Sequence, residues 1–164
     1  MSSLDQKAVE KALLDLEAGK DQKAFLALKR LAEAGNKEAF PMLGYLYDVG
    51  KGTWRDAKRA MHWYMLGYKS GSATCAANIA TVYRDAGNAS REFEWYKRAV
   101  ALGDEDAKLD VAIRLLSGKG VRRNLKSAIL LLKDVVANTT DTSEAARDTA
   151  RQLLWGCETK RRVA

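Results

Sequence analysis

An all-α, right-handed superhelical solenoid of helix-turn-helix repeats (an α/α superhelix) is the architecture this sequence predicts, and three observations predict it. The first is self-similarity. Sliding the chain by 68 positions (111 − 43) lays "LGYLYDVGKGTWRDAKRAMHWY", residues 43–64, on "VAIRLLSGKGVRRNLKSAILLL", residues 111–132. Leu43 meets Val111, Gly50-Lys51-Gly52 meets Gly118-Lys119-Gly120, and Ala60 meets Ala128. That shift is two units of about 34, a period made by paired helices in repeat proteins. The second is composition: the chain has one proline, Pro41, and much alanine and leucine, with little of the alternation that strands need. The third is the stripe of small and apolar residues three and four apart in each copy, such as Ala39, Leu43, Gly44 and Tyr47, which suits a helix packed on one face.

Taken in order, the repeats span about 5–35, 37–71, 73–103 and 105–139. The first copy, "AVEKALLDLEAGKDQKAFLALKRLAEAG", is the weakest. The second contains Gly50-Lys51-Gly52, which reads as the elbow between two helices. In the third, Tyr83 stands for Tyr47 and Trp95-Tyr96 for Trp63-Tyr64, and the elbow is four residues shorter. Gly35, Gly71 and Gly103 fall where each second helix should stop, a place that favours a left-handed residue. A further helix over 142–156 is expected to cap the last repeat. Thr142 or Ser143 would start it and Gly156 would end it, leaving "CETKRRVA" loose. One solenoid domain over 1–164 accommodates all of this.

At this point the residues are similar to a known family. "EAFPMLGYLYDVGKGTWRDAKRAMHWYMLGYKSGSA" resembles the Sel-one-like repeat, a relative of the tetratricopeptide repeat. The resemblance rests on Leu43, Gly44, Tyr47, Gly50, Gly52, Asp56, Ala60, Trp63, Tyr64 and Gly71, and covers roughly residues 20–139. It implies an interaction scaffold with a variable surface. Secreted members bridge each hairpin with cysteines. Cys75 and Cys157 are too far apart for that pattern, and read as reduced thiols of a cytoplasmic protein. The opening residues lack an apolar signal core, and no apolar run reaches the length of a bilayer span.

No catalytic or metal site can be assembled. The glycine-lysine-glycine elbows have neither the spacing nor the preceding strand of a phosphate loop. His62 is the only histidine, with no partner pattern for nucleophilic catalysis. Metal ligation needs clustered histidine, cysteine or carboxylate. Some relatives of the resembled family are linked to penicillin chemistry, but the S-x-x-K arrangement for it occurs nowhere here. Asp104-Glu105-Asp106 lacks the spacing of a calcium loop. No cofactor is implied, and the chain does not read as an enzyme.

Function is then expected on surfaces. The first helix of each repeat lines the inner face of a solenoid, where positions pointing from the hairpin core read Met42, Tyr45, Leu46 and Val49; Asn78, Thr81, Val82 and Asp85; then Asp110, Ile113, Arg114 and Ser117. The row passes from apolar to polar, which suits a protein segment with an apolar and a charged end; the plain alternative is a solvated face. Trp54 is surplus to the repeat pattern, and either packs under the elbow or anchors a partner. Formal charge is +7, and it is spread: residues 1–82 carry 12 basic and 9 acidic residues (+3), residues 83–164 carry 16 and 12 (+4). The repeat register gathers cations on the elbows, namely Lys51, Arg55, Lys58, Arg91, Lys119, Arg122 and Arg123, as a basic rim facing an acidic partner surface. Interaction with another protein, as a regulatory adaptor or a toxin-neutralising immunity protein, is the reading these features favour. A nucleic-acid accessory role is the alternative, and the acids interleaved at Asp48, Asp56 and Asp85 oppose it.

Overall fold

A computed structural model describes residues 3–163. Among them it holds α1 (Ser3–Glu17), α2 (Asp21–Glu33), α3 (Ala39–Val49), α4 (Ala57–Lys69), α5 (Ala73–Asp85), α6 (Ala89–Ala101), α7 (Ala107–Ser117), α8 (Leu125–Ala137) and α9 (Glu144–Val163), and no strand. The helices group by proximity into two compact units, Met1–Ile79 and Ala80–Ala164, with the division inside α5.

In the first unit α1 packs on α2, α2 on α3 and α3 on α4. Ala24, Leu28, Ala39, Leu43, Ala60 and Tyr64 are buried between them, and the Phe25 ring meets Tyr47 edge-on at 5.2 Å. Gly44 sets how closely α3 and α4 approach, because a Cβ there would stand 2.5 Å from the Tyr64 ring. Gly50 closes α3 in the left-handed conformation, at φ 73°. The chain then folds back: the Asp56 N–H donates to the Tyr47 carbonyl at 2.8 Å, and the Asp56 carboxylate caps α4 by accepting from the Arg59 N–H at 3.0 Å. Gly52, at φ 72°, lies so near α2 that a Cβ would stand 2.3 Å from the Asp21 carbonyl oxygen. The glycine pair is therefore a hairpin elbow seated on the preceding helix pair.

In the second unit α6 packs on α7, α7 on α8 and α8 on α9. The longer elbow recurs: Gly118 closes α7 at φ 73° and Asn124 caps α8 by accepting from the Ser127 N–H. The shorter elbow before α6 uses Asn88, which accepts from the Arg91 N–H at 3.1 Å. Ala146 and Ala150 of α9 bury against Ala112, Leu132 and Val135, with Leu153 and Leu154 alongside. Ser143 caps this helix, accepting from the Ala146 N–H at 3.3 Å. The helix does not stop at Gly156. It continues to Val163, so residues 157–163 are helical rather than loose. Gly156 does not take positive φ, and a glycine ends a helix only where it does.

Candidate protein-binding site

On the first unit, three first helices of successive pairs enclose a cleft of about 450 Å³. Met42, Tyr45 and Leu46 supply one wall, as residues three and four apart on α3 must. Leu13 and Leu16 come from α1, and Thr74 and Asn78 from α5. Leu46 is fully buried. Where the sequence predicts it to point outward, it forms the floor, held there by its place one turn from the core residue Leu43. Tyr45 is 51% exposed at the lip. Behind this wall the Tyr64 phenol is buried and its pKa is pushed up, first by burial and then by the Asp48 carboxylate, so it stays neutral. The cleft is an apolar slot with an amide and a hydroxyl at one side, able to bury an aliphatic or aromatic side chain. Of its lining, the inner-face pattern finds Met42, Tyr45, Leu46 and Asn78. It misses Leu13 and Leu16, because the first copy is too degenerate to align.

Val49, also on the first unit, is exposed and not part of the cleft lining; the other inner-face residues lie on the second unit and are engaged differently. Thr81 hydrogen-bonds the Tyr96 side chain. Asp85 is exposed and pairs with Arg84 at 3.6 Å. Ile113 is half-buried. Arg114, expected to face a partner, instead pairs with Glu92 of α6, whose side chain is fully buried. The reason is register. Glu92 occupies the position that Ala60 and Ala128 hold in the other copies (60 + 32 = 92; 92 + 36 = 128), and both alanines are fully buried. A carboxylate at a buried alanine position needs a cation, and Arg114 supplies it. That misfit was visible in the sequence and is the signal that finds the pair.

Asp110 sits in the same network. Burial raises its carboxyl pKa, partly offset by Arg114 and Arg84, while Glu92 and Asp104 add to the rise. A raised acid pKa means that the folded state holds the proton more tightly than the unfolded state. The stability it adds is present below the ordinary carboxylate value of 3.8 and is lost as pH rises through the folded value. Asp110→Asn should therefore stabilise the protein slightly at neutral pH and flatten the loss of melting temperature from acid to neutral. Calorimetric melting at a series of pH values checks this; a steeper loss in the variant refutes it.

The elbow cations do not form one free rim. Lys51 pairs with Asp21 at 3.5 Å. Arg55 donates to the Asp48 carbonyl at 2.8 Å, and Arg91 donates to the Tyr83 hydroxyl at 3.1 Å and lies over its ring. Lys58, Lys119, Arg122 and Arg123 are exposed. Trp54 is 92% exposed; it does not pack under the elbow. His62 is exposed. Among the described residues there is no group of three His, Cys, Asp or Glu able to hold a metal ion, and no helix long and apolar enough to cross a membrane.

No family model matches the chain, and no curated protein does. Solved structures do. A Sel1 repeat protein from Oxalobacter formigenes superposes with a TM-score of 0.68 at 24% identity, over 76% of this chain and 53% of its own. The protein c5321, a protective antigen present in uropathogenic Escherichia coli strains and displaying an SLR fold, superposes with a TM-score of 0.61 at 30% identity, over 68% of this chain and 25% of its own. The chain thus spans about half the length of the first and a quarter of the second. With its paired helices, glycine elbows and small-residue seams, the chain has the fold of the Sel1 repeat proteins, an all-α helical-repeat solenoid.

Proposed function

We propose that this protein is a non-catalytic binding module that grips a segment of another protein in the cleft formed by α1, α3 and α5. The observation that carries the reading is the cleft itself: an apolar slot, open at Tyr45 and floored by Leu46, on the face that repeat scaffolds use for recognition. An aromatic or aliphatic side chain of the partner enters it, and Asn78 and Thr74 supply polar contacts at its side. Trp54 and the exposed Lys58 provide an additional anchor for an acidic partner surface. The reduced pair Cys75 and Cys157 supports action in the cytoplasm. Within this class, a regulatory adaptor and a toxin-neutralising immunity protein are the two roles we propose.

A photo-crosslinking amino acid placed at Tyr45, with the same group at the exposed Leu130 as a reference, tests this in the organism of origin. A discrete protein adduct should form from position 45 and not from 130, and should vanish when Met42→Glu is added. Identical adducts from both positions, or adducts that nuclease treatment removes, would overturn the assignment. The identity of the crosslinked protein separates a toxin from a regulated enzyme or receptor.

A further inference from the structure

A second surface of the first unit differs from the cleft. We propose that the groove between α1 and α2 docks an amphipathic α-helix of another protein, one whose apolar stripe is flanked by acidic side chains. The groove has a volume of about 440 Å³. Its floor is made by Ala8 and Ala12 of α1 and Ala27 and Leu31 of α2, spaced three to four residues apart on each helix as a seam for a third helix requires. Alanines let a helix backbone approach closely. The same solution is seen within the second unit, where Ala146 and Ala150 bring α9 down on Leu132 and Val135. Leu26 stands at the groove 47% exposed, an apolar contact awaiting cover.

The charge at the rim selects the flanks of the incoming helix. Lys11, Lys23 and Arg30 line the groove, with Asp15 as its one carboxylate. Asp15 is buried and already held by Lys23 at 3.0 Å. Lys11 and Arg30 are exposed and have no carboxylate within ion-pairing distance among the described residues. An acidic flank on each side of the stripe would meet these two cations, whereas a basic helix would be repelled. A second copy of this chain is a poor occupant, because the alanine stripe of α9 is already buried on α8.

The test uses two labelled, helix-forming peptides with the same Ala/Leu stripe, one flanked by Glu and one by Lys, titrated against the full chain by fluorescence anisotropy. The acidic peptide should bind at least about tenfold more tightly than the basic one, and the gap should narrow as added salt screens the rim. Leu26→Glu should weaken acidic-peptide binding by about tenfold or more. Arg30→Glu should erase or reverse the charge preference. Both side chains are exposed, so the variants fold, as circular dichroism verifies. Tyr45→Ala should leave this binding unchanged, which separates the groove from the cleft whichever way the cleft experiment falls. Equal binding of the two peptides, no saturable binding of either up to roughly 100 μM, loss of binding in Tyr45→Ala, or self-association that competes with the peptide would each overturn the proposal.

Discussion

Arg114→Ala should be among the most damaging single substitutions in the chain, lowering stability by about 3–5 kcal/mol, as removal of one partner of a buried ion pair does. The Glu92 side chain is fully buried, and the Arg114 side chain that neutralises it is only 13% exposed. Without the guanidinium, the carboxylate is left as an uncompensated buried charge. For a chain of this length the loss corresponds to a fall of roughly 10 °C in melting temperature. Glu92→Leu combined with Arg114→Met should recover most of it, because a matched apolar pair removes the desolvation penalty along with the charges. Calorimetric melting of the wild type, Arg114→Ala and the double variant decides the matter. If Arg114→Ala melts within a degree or two of the wild type, the pair contributes little and Arg114 is free to serve a ligand.

Gly52→Ala should cost nearly as much, about 3 kcal/mol, by adding a steric clash to an unfavourable backbone angle. The residue sits at φ 72°, and a Cβ would press on the Asp21 carbonyl oxygen at 2.3 Å. That oxygen belongs to the backbone of α2 and cannot swing aside as a flexible side chain could. Gly19→Ala separates the two contributions. Gly19 has nearly the same φ, 71°, but nothing lies within 4 Å of its would-be Cβ, so it should lose only about 1 kcal/mol from the angle. Chemical denaturation of both variants checks the difference. Equal losses would show that the elbow is not pressed against α2.

These two sites mark what the sequence reveals and what it does not. The fold is legible because repetition multiplies a weak signal: Gly50-Lys51-Gly52 alone is ambiguous, but its recurrence at 118–120 with the same flanking stripes is not. The structure adds the caps: Asp56, Asn88 and Asn124 occupy one register and each accepts from the N–H three residues on. The candidate cleft was half legible. Met42, Tyr45 and Asn78 follow from helical spacing, whereas the depth of Leu46 depends on how far neighbouring helices overlap it. Inner-face spacing alone does not reveal the role of Arg114, whose side chain reaches across to the buried Glu92. Spacing gives direction around one helix but not the neighbour a long side chain reaches. Helix α9 runs on past Gly156 because glycine in a helix costs only about 1 kcal/mol, little enough for an otherwise helical segment to continue through it.

The local character of the helix caps and contacts has a kinetic consequence. Among the described residues the helix packing within each unit runs between elements adjacent along the chain, and the caps of α4, α6 and α8 each span only three residues. Little chain entropy is therefore lost before a contact repays it, so folding should be fast for a protein of this size and free to start at any hairpin. Ribosomal synthesis would find the first helix pair competent to close while later ones are still being made.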